Sequence, residues 1–156
     1  MSLDRIDRKI VAALMADAMI PLARLADQVG LSQTPCWKRV RKLQDRGIIR
    51  GRVAIVDPES LGLSLTAFVN VSAGDQAEDM QRRVEDVLAA IPEVMEAYRM
   101  AGSHDYALRI VARDMADFDR IRQTIANALP LRDLSASFAL QRLKASTVLP
   151  IDTCSA

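Results

Sequence analysis

Residues 30–52 read GLSQTPCWKRVRKLQDRGIIRGR, and this run decides the fold of the first third of the chain. Gly30 can take the left-handed conformation that ends a helix, Leu31 plugs the turn, and Ser32 suits the N-cap of a new helix with Pro35 in its first turn. Cys36, Val40 and Leu43 follow at i, i+4 and i+7, so they form the buried stripe of that helix. On this spacing Cys36 is a small core residue. Gln33, Thr34, Lys38, Arg41 and Lys42 are left mostly for the outside, and Arg39, which adds to the positive charge of this helix, can partly serve folding. Gly47 stops the helix. Ile48-Ile49 and Val53 to Ile55 then read as two short β-segments bracketing Arg50, Gly51 and Arg52, a small basic wing. Trp37 has two readings, a surface contact to nucleic acid or a partner subunit, and packing against the first helix.

Working outward, Ile6, Ile10, Val11 and Leu14 recur at helical spacing behind Asp4 and Asp7, which favour a helix's first turn. A second helix begins at Pro21 and buries Leu22, Leu25, Ala26 and Val29. Two short helices joined by a tight glycine turn, the second densely basic, make a helix-turn-helix. A DNA major groove accepts one α-helix, whose N-terminal residues reach base edges while Lys and Arg meet phosphates. On this reading Ser32, Gln33, Thr34, Lys38, Arg39, Arg41, Lys42, Arg50 and Arg52 are the candidate contacts to double-stranded DNA. Charge agrees: residues 1–52 carry a net +6 and residues 53–156 a net −5, which together give the formal +1 of the 156-residue chain. A basic module joined to an acidic one points to a polyanionic partner for the first alone.

Beyond Asp57-Pro58 and the hinge-like Ser60-Leu61-Gly62, the pattern changes. Leu65 to Ser72 alternates as a strand, and Met80, Val84, Val87, Leu88 and Ile91 form an amphipathic helix ended by Pro92. Val94–Met100 and Tyr106–Ala112 read as strands joined by a hairpin-type loop at 101–105. Phe118, Ile121, Ile125 and Leu129 form a helix that stops near Pro130, and a last strand alternates from Leu134 to Gln141. The order is βαββαβ, a ferredoxin-like arrangement. The fold class expected is therefore α+β, with a winged helix-turn-helix domain over 1–52, a linker strand and hinge over 53–64, a ferredoxin-like domain over 65–151, and a tail over 152–156. Such a sheet carries helices on one face only. Phe68, Ala107 and Val111 lie on available faces, so a second copy of the chain is the expected cover.

Other classes find little support. The longest uncharged stretch, Ser60 to Gly74, is too short and too polar to span a bilayer, and the charged start lacks a secretory signal, so a cytoplasmic location is expected. The two cysteines, Cys36 and Cys154, form no metal-ligand spacing with the single His104. No phosphate loop or nucleophile–base pair is present, so the expectation is a protein that is not an enzyme, with no cofactor and no metal.

Several segments resemble the leucine-responsive/asparagine-regulator (Lrp/AsnC) family of prokaryotic transcription factors. They are Leu3 to Ile10, Leu25-Ala26 through Gly30-Leu31-Ser32, Arg39-Val40 through Leu43, Gly47-Ile48-Ile49, Arg99 to Gly102 with Asp105-Tyr106, and Ser135 to Leu140 leading into Lys144 and Leu149-Pro150. The resemblance covers about residues 3–151, and its parts occur in the family's order. Thr34 to Arg39 further resembles a subgroup that responds to cysteine and other sulfur-containing amino acids. What the resemblance implies is a regulator that dimerises through its sheets and assembles further to an octamer. It also implies an amino-acid effector bound between dimers, against Met100, Gly102, Asp105, Ser135 and Ser137. Gly102 would let a ligand reach backbone amides that suit an α-carboxylate, and Asp105 would pair an α-ammonium. The alternative for Asp105 is a turn residue bonding its own backbone, and for the serines the exposed face of a strand. Ser103 and His104 are less direct carry-overs. A rival reading, an effector-independent DNA-organising protein of the nucleoid type, uses the same basic helix and the same oligomer.

Overall fold

Asp4 starts the first helix: its side-chain oxygen accepts the Asp7 amide at 2.7 Å, and α1 runs over Arg5–Ala16. The structure is a computed structural model that describes residues 3–74 and 78–152, without the side chains of Glu78 and Asp79. Cys154 and the rest of the tail from residue 153 lie outside the described residues. By contacts the chain divides into two units. One runs to Ile55 and includes the segment from Leu143 on; the other is Val56–Arg142. Residues 143–151, which the sequence reading placed with the sheet domain, therefore group with the helical unit, as does Asp152 of the expected tail. One bond within that unit runs from the Arg8 guanidinium to the Asp152 carbonyl at 3.2 Å.

In the first unit α2 spans Leu22–Val29, with Pro21 at its N-cap, and α3 spans Gln33–Asp45. Gly30, at φ +73°, closes α2, and the Leu31 amide reaches back to the Ala26 carbonyl at 2.9 Å. Gly47, at φ +69°, ends α3 in the same manner, with the Ile48 amide on the Leu43 carbonyl at 2.9 Å. Ile10, Leu14, Leu25, Ala26, Val29, Cys36, Val40 and Leu43 are the buried core. The expected wing does not form. Residues 48–57 contain no strand, and Val53 and Ile55 stand exposed. The Ile49 amide turns back to the Leu43 carbonyl at 3.2 Å, and its side chain packs on the helical core. A lone two-stranded ribbon is marginal in water, and nothing in this unit extends it into a sheet.

In the second unit Asp57 accepts both the amide and the hydroxyl of Ser60, starting a single 3₁₀ turn at Glu59–Leu61. Then follow β1 (Leu65–Ala73), α4 (Glu78–Ala89), β2 (Val94–Arg99), β3 (Tyr106–Ala112), α5 (Met115–Ala128) and β4 (Leu131–Phe138). The antiparallel sheet has the order β2-β3-β1-β4, as a ferredoxin-like βαββαβ chain requires. The last strand starts three residues earlier than the alternation suggested, directly after Pro130, and ends at Phe138.

Strand alternation sorts the two faces. Ala67, Val69, Val71, Leu108 and Ile110 pack beneath Val84, Leu88, Phe118, Ile121 and Ile125 of the helices. The opposite face carries Phe68, 51% exposed, and Tyr98, 57% exposed. Val111, expected on that available face, is instead buried at 6% exposure, so it offers little to a second copy. Among the described residues no helix is long and apolar enough to cross a membrane.

Candidate nucleic-acid interface and effector loop

Because Cys36, Val40 and Leu43 point inward, the opposite side of α3 is fixed without further assumption. Gln33, Thr34, Lys38, Arg41 and Lys42 are exposed there, and Ser32 is exposed just before the helix. Ser32 occupies the N-cap position, but its side chain makes no cap hydrogen bond. Arg50 and Arg52 are exposed in the irregular chain beyond α3. Without the wing, no strand aims them along a backbone.

Arg39 differs from the expectation for this set. Its guanidinium bonds Asp4 at 2.6 Å and Asp7 at 2.7 Å, tying α3 to the start of α1. These bonds, to Asp4 first, raise the Arg39 pKa; the Asp7 amide, followed by Arg39, lowers that of Asp4. Asp7 is buried, so it needs this cation as a partner. Helical spacing showed Arg39 as one basic residue among several, and only the packing reveals the carboxylates beneath it. Cys36 is buried in the core, and that burial pushes its thiol pKa up, away from reactivity.

In the second unit the loop between β2 and β3 is closed by the Met100 amide on the Asp105 carbonyl at 2.8 Å. Asp105 also ties this loop to β1: its amide bonds the Val71 carbonyl, and its carboxylate accepts the Ala73 amide at 2.9 Å. Asp105 therefore has a structural task, but its carboxylate bonds the backbone of β1 and not that of its own turn. His104 Nδ1 lies 3.3 Å from the hydroxyl of buried Ser72. Gly102 has no positive φ, and a Cβ there would meet nothing within 4 Å. Ser135 and Ser137 stand exposed on the helix-free face of β4, opposite Asn70 and Phe68. They are two strands from β3, about 10 Å across the sheet, so one chain alone does not gather the five expected effector residues.

Sequence reasoning missed a groove of about 350 Å³ between α4 and the edge strand β2. Val84, Leu88 and Tyr106 line it, and Arg99 donates to Gln81 across it at 2.8 Å. Arg99 and Gln81 come from separate elements, so no local pattern could have paired them.

A helix-turn-helix with a basic outward face, followed by a one-sided ferredoxin-like domain, defines a DNA-binding regulator with a separate ligand-binding domain. The comparisons with known proteins agree. Residues 3–44 match the AsnC-type helix-turn-helix domain, and residues 66–149 match the Lrp/AsnC ligand binding domain. The chain belongs to the Lrp/AsnC family of transcriptional regulators. It is 42% identical over 151 residues to the DNA-binding transcriptional activator DecR of Escherichia coli, covering 96% of this chain and 99% of that one. It is 36% identical over 149 residues to the glutamate uptake regulatory protein of Zymomonas mobilis, covering 96% and 91%. Among solved structures, an AsnC family regulator of Agrobacterium tumefaciens superposes with a TM-score of 0.89 at 40% identity, over 95% and 97% of the two chains. A transcriptional regulator of Neisseria meningitidis in complex with L-Met superposes at 0.87 with 33% identity, over 96% and 97%.

Proposed function

We propose that this regulator reads DNA with Ser32, Gln33, Thr34, Lys38, Arg41 and Lys42, and that an amino-acid effector acting on the second unit controls its assembly or DNA binding. Arg50 and Arg52 supply flanking phosphate contacts, while Arg39 serves mainly to hold α3 in place. The observation that carries the DNA reading is the exposed basic side of α3 set against its buried stripe. Lys38→Ala with Lys42→Ala leaves the core untouched. This double variant should stay folded, bind the region upstream of its own gene at least tenfold more weakly, and show a shallower salt dependence in fluorescence anisotropy. Unchanged binding at every salt concentration would mean that α3 is not the reading helix.

Assembly follows from the uncovered sheet. Phe68 and Tyr98 on its free face support dimerisation by a second copy, and the family pattern extends this to an octamer. A second chain would also complete the effector site, bringing Met100, Gly102 and Asp105 of one copy towards surfaces that the single chain lacks. Gly102 supports this reading, since among the described residues nothing lies within 4 Å of where a Cβ would stand. The effector class is an L-amino acid, with cysteine and methionine the first to test. The Neisseria relative is described with L-Met, and the stretch Thr34 to Arg39 resembles the sulfur-responsive subgroup.

Asp105→Asn is the appropriate test, because an amide oxygen can still accept from Ala73 while the charge that would meet an ammonium is gone. Its affinity for the stabilising amino acid should fall roughly ten- to a hundredfold by calorimetry. Equal affinity would remove Asp105 from the site. No thermal stabilisation by any of the twenty amino acids would favour a DNA-organising role instead.

A further inference from the structure

Trp37 is the only tryptophan in the chain. It is not buried in the helical core but stands 50% exposed on α3. Arg41 follows one helical turn later, and its guanidinium carbon sits 5.8 Å from the centre of the indole ring. The same indole lines a groove of about 340 Å³ shared with Leu22, Val40, Gln44 and Arg52. No carboxylate is among the described residues that line it. The result is a half-apolar channel with one arginine on its wall and another stacked on its aromatic edge, immediately beside the residues assigned to base contact.

We propose that the Trp37–Arg41–Arg52 groove seats the sugar–phosphate backbone of the DNA strand next to the bases read by α3, with Trp37 as a positioning residue for Arg41. The inference rests on the reading of α3 given above. The indole face restricts the rotamers of the arginine stacked on it, so less freedom is lost when the guanidinium meets a phosphate. The exposed part of the ring packs on deoxyribose, and Arg52 pairs a neighbouring phosphate. Charge complementarity selects this occupant. An apolar helix from another protein would desolvate two guanidinium groups without giving either an acid.

The chain's single tryptophan makes the test direct. With the full-length protein and the upstream duplex, bound DNA should shield Trp37 from acrylamide quenching. Trp37→Ala should weaken binding roughly two- to fivefold, the range of an exposed cation–π contact, without altering thermal unfolding. Trp37→Phe should recover part of that loss, and it carries the test if the alanine variant fails to fold. The loss should also shrink in an Arg41→Gln background, to what the ring's own contact with deoxyribose leaves, whereas a purely structural role would give the same loss in both backgrounds. Additive losses, or quenching unchanged in the DNA complex, overturn the proposal. Shielding that rises with protein concentration in the absence of DNA also overturns it, by assigning the groove to an interface between copies. If Lys38→Ala with Lys42→Ala leaves binding intact, α3 itself is misassigned, which is a separate failure from that of the groove alone.

Discussion

The three-helix core and the sheet domain complete their burial to different extents. Around α1–α3 the apolar stripes close on one another, and what α3 presents outward is mostly charge and amide. The sheet is closed on the α4/α5 side only, and its other face leaves Phe68 and Tyr98 in water beside the Glu96–Arg109 pair at 2.7 Å. The Arg109 guanidinium lowers the Glu96 pKa, and Glu96 in turn raises that of the Tyr98 phenol. A finished core offers a surface that meets its partner through charge. An unfinished one meets its partner by completing its own burial. Function therefore lies in side-chain chemistry in the first case and in missing neighbours in the second.

Phe68 carries the largest expected effect. If two copies cover the sheet, Phe68→Asp removes two buried rings per dimer, each worth about 1.5–3 kcal/mol, and buries two charges instead. Light scattering should then find the 17.2 kDa single chain at concentrations where the wild type is at least dimeric. A wild-type mass near one chain would end the argument for the unfinished sheet.

The next effect belongs to the finished core. Arg39→Gln leaves buried Asp7 without its cation and should lower the stability of the helical unit by about 1–3 kcal/mol in urea unfolding. Its effect on DNA affinity at low temperature, where the unit stays folded, should be smaller than that of Lys38→Ala with Lys42→Ala. The reverse order would return Arg39 to the DNA face.

Gly30→Ala acts within a single turn of the helical unit. A Cβ there meets nothing within 4 Å, so the only penalty is φ at +73°, and about 1 kcal/mol should be lost. A larger loss would show that the turn packs against something beyond its own chain.

The smallest effect is on pH dependence in the sheet unit. The Arg113 side chain first, then its amide and Arg120, hold the Asp117 carboxyl well below the ordinary carboxylate range. A depressed native pKa contributes stability above the unfolded value near 3.8, and that contribution is lost as the pH falls below it. Wild type should therefore lose more stability than Asp117→Asn between pH 5 and about pH 2, followed by circular dichroism. Parallel curves would deny the pair its role. The effect is small because both arginines are exposed.

Local spacing determined most of this protein. The stripes Ile10/Leu14, Leu25/Val29 and Cys36/Val40/Leu43, the stops at Gly30 and Gly47, and the order βαββαβ all follow from periodicity and turn chemistry, which act between near neighbours in the chain. The outward residues of α3 followed too, because naming a buried stripe names its opposite. Tertiary structure alone decided the rest. It set Arg39 over Asp4 and Asp7, buried Val111, denied Val53 and Ile55 a strand partner, and brought Leu22 and Arg52 to Trp37 to form a groove. It also gave one Asp105 oxygen to Ala73 and kept Ser135 two strands away from that loop. Each of these depends on which distant segment arrives as a neighbour, and no local propensity encodes that.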